Sequence, residues 1–224
     1  MRATSRTFFA RPGRLLAGAL SVLALGACSV LSPTATPPPA FYSLDSAPVT
    51  APASTPARTA APTLIINPPR AAAGFDSQRI IYVRESHKLE YFAHSEWVDP
   101  PARMLGSLLV AAIEQTGAFS AVVLTPGAAG GDLRLDTEIV RLQQEFQTSP
   151  SRVRFTLRAY LVDDKTRRVL AWRQFEAVAD AASDDPYSGV LAANRAVQTV
   201  LQQLSAFCAE TMASATQAKG VDAR

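Results

Sequence analysis

The 224-residue sequence is poor in the groups that chemistry usually needs. It has 2 histidines, 2 cysteines and 2 tryptophans. With so few nitrogen and sulfur ligands, a zinc site of the usual His and Cys composition is hard to assemble. No G-x-S-x-G pattern marks a hydrolase serine. The glycine cluster GAAGG at 127–131 lacks the lysine and the following helix of a phosphate loop, so it reads as a turn. Long apolar runs are missing too. LLAGALSVLALGA near the N-terminus is too short and wrongly flanked for a membrane-spanning helix. No internal repeat is visible.

What is present begins with that apolar run. Arg2, Arg6, Arg11 and Arg14 precede it, and Leu25-Gly26-Ala27-Cys28 ends it. A basic start, an apolar stretch and small residues before a cysteine match a secretory signal with a bacterial lipobox. This predicts a signal peptide over 1–27, cleavage before Cys28 and a lipid on Cys28. Ser29 in place of Asp favours the outer membrane by the usual sorting rule, with the domain on the periplasmic face. Several acyl chains on one cysteine anchor stably, since each buried CH₂ contributes about 0.8 kcal/mol.

Removing the signal changes the charge. The chain has 22 basic and 19 acidic residues, and the signal takes four arginines and no acid, leaving 18 against 19. A near-neutral mature chain gives no case for a nucleic-acid partner. With Cys28 lipidated, Cys208 has no disulfide partner and reads as a small core residue on an apolar helix stripe.

Residues 28–62 form a tether rich in Pro, Ala, Thr and Ser, a composition that cannot bury a core. FYSLD at 41–45 interrupts it with alternating apolar residues and reads as a first strand. The folded domain is expected over 63–210, followed by a disordered tail at 211–224. Within it, TLIIN (63–67), RIIYVR (79–84) and KLEYFA (88–93) read as strands, the last two as a hairpin across Glu85-Ser86-His87. Asp99 is the expected N-cap of a helix opened by Pro100 and Pro101, with Met104, Leu105, Leu108, Leu109, Ala112 and Ile113 on one stripe and Gly117 closing it. FSAVVL (119–124), 133–142, 152–162 and 168–179 read as further strands, the last pair turning at Asp163-Asp164-Lys165. RVRFTLRAYLV alternates strictly, with arginines on one face and apolar residues on the other. Ser183, Asp184 or Asp185 caps the last helix, which Pro186 opens and Val190, Val197, Leu201, Leu204 and Cys208 stripe. The expected fold is single-domain α/β: a mixed, largely antiparallel sheet with two main amphipathic helices packed on it.

Both histidines lie in HKLEYFAH, residues 87–94, with Glu90 between them. On a helix the three would align as a ligand set. The stretch is bracketed by strand signals, however, and on a strand His87 and His94 point to opposite faces. Neither metal nor cofactor is therefore expected, and no enzyme activity. The arginines of 152–158 read as a solvated strand face with cross-strand pairs, for example to Glu176, against the alternative of an anionic-lipid or acidic-partner surface. Trp97 is either a hydrophobic staple onto the following helix or a partner anchor.

FYSLD, LIINPP, FDSQRIIYVRESHKLEYFAHSEWVDPPARML and LVAAIEQTGAFSAVV together resemble the ABC-type transport auxiliary lipoprotein family, the PqiC/YmbA-like lipoproteins. The strongest stretch is 75–124: Arg79-Ile80-Ile81-Tyr82, Leu89-Glu90-Tyr91-Phe92, Trp97, Asp99-Pro100-Pro101 and Gly117-Ala118-Phe119. DLRLDTEIVRLQQEF and Asp185-Pro186-Tyr187 extend the likeness, which covers about 41–210. The insertion at 46–62 departs from it. The resemblance implies an outer-membrane-anchored, non-catalytic docking or assembly subunit for a periplasmic MCE-domain protein of a phospholipid or sterol transporter. It is also compatible with a homo-oligomeric ring. Tyr82, Tyr91 and Trp97 are the candidate partner-binding residues. The competing reading is a structural envelope lipoprotein with no transporter partner.

Overall fold

The structure, a computed structural model, describes residues 38–45, 61–125 and 130–222, with side chains described to Ser214. Cys28, the signal region and most of the tether lie outside the described residues. The organising element is β7 (Leu133–Glu145), a 13-residue strand with both edges occupied. One edge pairs antiparallel along its whole length with β8 (Arg152–Asp163), which pairs antiparallel with β9 (Val169–Asp180). Alternation in these three sequences puts Leu135, Ile139, Phe155, Leu157 and Leu161 on one face, all fully buried. Each contributes about 1.5–3 kcal/mol by leaving water.

The other edge of β7 is divided between three parallel strands. β2 (Thr63–Ile66) takes Leu133–Leu135, β3 (Arg70–Ala71) takes Glu138–Ile139 and β4 (Arg79–Val83) takes Gln144–Glu145. The cause of the split is Pro68-Pro69. Proline has no N–H to donate, so the ladder stops after Asn67 N–H donates to the Leu135 carbonyl at 3.0 Å. It resumes where Ala72 N–H donates to the Ile139 carbonyl at 2.8 Å. From this fork the sheet continues in two arms. β2 pairs parallel with β6 (Ala121–Leu124), while β4 pairs antiparallel with β5 (Glu90–Trp97), whose far edge carries β1 (Ala40–Tyr42).

Two helices cover one face. α1 (Pro101–Glu114) packs on β2, β3 and β6; α2 (Pro186–Asp222) packs on β7, β8 and β9; the helices touch each other. The expected α/β fold, mixed sheet with two amphipathic helices, is the observed one. Details differ. β3 has no β-branched residue to announce it. The N-cap of α1 is Pro100, which has no side-chain acceptor, and Asp99, one residue early, instead accepts from Arg103 at 3.2 Å. α2 runs on to Asp222, past the expected boundary at 210, because ETMASATQAK holds no strong helix breaker. Its cap is Asp185, whose Oδ1 accepts from Ser188 N–H at 2.9 Å. Its neighbour Asp184 accepts from Ser151 N–H at 2.6 Å and so ties the β7–β8 turn to the helix start.

No helix among the described residues is long and apolar enough to cross a membrane.

Candidate docking surface

The helices leave the second face of the sheet open, and alternation fills it with polar side chains. Glu145 is its centre. Only 5% exposed, it accepts from Arg154 Nε at 2.8 Å, Arg152 Nε at 3.1 Å and Gln143 Nε2 at 3.1 Å. Burial pushes its carboxyl up, and these bonds outweigh that effect, so it ends below its ordinary value. Arg154 also binds Glu176, to which Thr156 Oγ1 donates at 3.0 Å. Farther along, Arg158 meets Glu138 at 3.4 Å, and Arg134 bridges Asp136 at 3.2 Å and Asp164 at 2.9 Å. The arginines of β8 are thus satisfied within the sheet, as the cross-strand reading expects.

Apolar groups interrupt this ladder at two places. Tyr160 and Trp172 are register partners on β8 and β9, and their rings stack at 6.2 Å and 26°. Trp172 is 61% exposed. At the other end Tyr91 is 52% exposed, with the Arg79 guanidinium 4.1 Å from its ring centroid. These two and Leu89 line an open groove of about 450 Å³ with Gly74, Asp76 and Ile81.

The three sequence candidates do not share a face. Tyr91 pairs with Ile81 and looks out from the open side. Tyr82 pairs with Glu90 and turns the other way, into a half-buried cluster with Phe92 at 4.6 Å and Phe146 at 5.6 Å, roofed by Arg84. A register shift between Arg79 and Ile81 turns Trp97 away from Tyr91 despite their even spacing. Trp97 is 3% exposed and belongs to the core. Of its two sequence readings, packing onto the following helix region fits this burial. The Tyr160–Trp172 pair is not legible in the sequence, because counting back from the turn at 163–168 sets Tyr160 opposite Ala171, and only the register shift between Leu161 and Val162 brings Trp172 opposite it.

His87 sits in the β4–β5 turn at φ 67°, and His94 lies on β5; both are exposed. No group of three or more His, Cys, Asp or Glu able to hold a metal occurs among the described residues. Cys208 is fully buried, and burial pushes its thiol up to about 12, so it is a core residue as expected. Beneath the sheet, Trp97, Ile80, Leu142, Gln144, Gly189 and Val190 line a void of about 10 Å³, room for one water at most.

Fold and face define a two-layer α/β domain that presents a rigid, internally paired sheet surface with exposed aromatic groups at its two ends. The chain belongs to the family of ABC-type transport auxiliary lipoprotein components, whose model matches residues 42–205. A crystal structure from Xanthomonas campestris, of a protein assigned to DUF330, superposes with a TM-score of 0.69 at 23% identity, covering 80% of this chain and 99% of that one. The crystal structure of an uncharacterized protein gives 0.57 at 14% identity, covering 78% and 98% of the two chains. Both are likenesses of fold. No curated protein matches the chain significantly.

Proposed function

We propose that this protein is an outer-membrane-anchored auxiliary lipoprotein of an ABC/MCE-type transport system for phospholipid or sterol, acting in the periplasm as a non-catalytic docking or assembly subunit. Family membership supports the transport role, and LGAC with Ser29 supports a lipid anchor at Cys28 in the outer membrane. The observation that carries the docking role is the open sheet face. Its charges are neutralised among themselves, while Trp172 and Tyr91 stand exposed on a rigid strand framework. Exposed aromatic groups on such a scaffold cost little entropy to bury and are the usual anchors of a protein interface. Tyr91 contacts the partner directly. Tyr82 and Trp97 shape the same β4–β5 arm from its other side. The void under Trp97 is far too small for an acyl chain, which favours docking over carrying.

A tagged chain crosslinked in its own envelope tests this. Recovery of an MCE-domain protein is expected. Recovery of none would leave the structural envelope lipoprotein as the better reading. Cys28→Ala should lower the share of the protein in the membrane fraction.

A further inference from the structure

A second apolar surface lies away from the open sheet face, where the tether enters the fold. Val98 follows β5, and its N–H donates to the Tyr42 carbonyl at 2.8 Å. The Tyr42 ring lies 6.2 Å from that of Tyr187, in the first turn of α2, and Leu191 follows one turn later. β1 is the edge strand, and Phe41, next to Tyr42, sits on its opposite side in register with Glu96. Phe41, Val98, Tyr187 and Leu191 are between 41% and 57% exposed. The rim is also pinned. Asn194 accepts from Asp45 N–H at 2.8 Å and donates to the Ser43 carbonyl at 3.2 Å, and Leu44 is buried beneath. The β1 segment is therefore held to α2 by the Asn194 side chain and to β5 by its three-residue ladder.

We propose that this rim seats on the surface of an electrically neutral, zwitterionic bilayer. The inference rests on the anchor at Cys28. From Cys28 to Ala40 the chain spans at most roughly 40 Å, so the rim is the part of the domain leashed nearest the membrane. Its composition suits that position, because tyrosine and aliphatic side chains favour the headgroup boundary. A second contact also adds to an acyl anchor in holding a protein to one membrane. The choice of lipid follows from charge. Asp45, Asp99, Asp184 and Asp185 flank the rim. Of the nearby cations, Arg103 offsets Asp99, and Arg195, which donates to the Asp180 carbonyl and keeps its charge, offsets one more of the four acids, so the flank is net negative. An anionic surface is therefore repelled.

The test uses the chain from residue 28 on carrying Cys28→Ser, so that no acyl chain contributes, and measures co-sedimentation with vesicles. Binding to phosphatidylcholine vesicles is expected, and weaker binding when phosphatidylglycerol is added at low salt. Tyr187→Ser with Leu191→Ser should weaken partitioning about tenfold, while the exposed Val169→Ser on β9 leaves it unchanged. Tyr187→Ser alone is the second variant should the double one misfold, as judged by circular dichroism. No vesicle binding, binding untouched by the rim variants, or preference for the anionic vesicles would each overturn the proposal. So would a rim variant that lowers the mass in light scattering instead, since that makes the rim a contact between copies. Intact mass of the native lipoprotein reads acylation of Cys28 separately, so loss of the anchor reading and failure of the rim are distinguishable.

Discussion

Replacing Glu145 tests the electrostatic frame of the sheet face. Its side chain is 7% exposed and holds Arg152 and Arg154, which are 36% and 20% exposed. Breaking a fully buried pair by removing one partner costs about 3–5 kcal/mol. Here both arginines still reach water, and Arg154 keeps Glu176, so Glu145→Ala should cost less, about 2–3 kcal/mol. Glu145→Gln keeps the volume and one acceptor and should cost about 1–2 kcal/mol. The pH dependence has a definite sign. The carboxyl is held below its unfolded value of 4.5, so its contribution is complete above that value and is lost as pH falls through the lower, folded one. Urea titrations of wild type and Glu145→Gln should therefore show a stability gap at neutral pH that shrinks progressively below about pH 4.5. Taking the difference cancels the other acid-sensitive carboxylates, Asp132, Asp163, Asp184 and Asp185. A gap unchanged at low pH, or a glutamine variant more stable than wild type at pH 7, would refute this account of the face.

Three further outcomes follow from the packing. A Cβ on Gly189 would lie 2.1 Å from Gln144 Oε1, so Gly189→Ala should destabilise by about 1–3 kcal/mol despite its better helix propensity, and Gln144→Ala should partly rescue it in a denaturation cycle. Asp185→Ala should cost about 1 kcal/mol by uncapping α2, with Asp185→Asn retaining most of the stability in thermal melts. Cys208 in a Cys28→Ala chain should resist iodoacetamide at pH 8 in the native state and react once unfolded; rapid native labelling would contradict its burial.

The sequence exposed most of the elements because each carries its own signal. β8 alternates strictly, α1 opens on prolines and keeps one stripe, and β2 is a short β-branched run. What stayed hidden depends on pairing between distant segments. The fork in β7 comes from Pro68-Pro69 meeting a strand some seventy positions later, and nothing local in Arg70-Ala71 announces β3. The candidate face was half legible. Arg154 and Glu176 could be paired from alternation alone, and the candidate Tyr91 lies exposed on this face. Trp97 had two readings, helix staple and partner anchor, and the sequence could not choose between them because the irregular register of β4 and β5 breaks the parity that strand reasoning relies on. Trp172 was overlooked because its exposure and its partner Tyr160 emerge only when β9 is set in register on β8.

The docking role is tested most directly by a photoreactive benzoylphenylalanine placed at Trp172, and in a second strain at Tyr91, in the native envelope. The account predicts light-dependent adducts at both positions whose second component is an MCE-domain protein. Absence of adducts at both, or adducts only with envelope proteins outside any transporter, would contradict it.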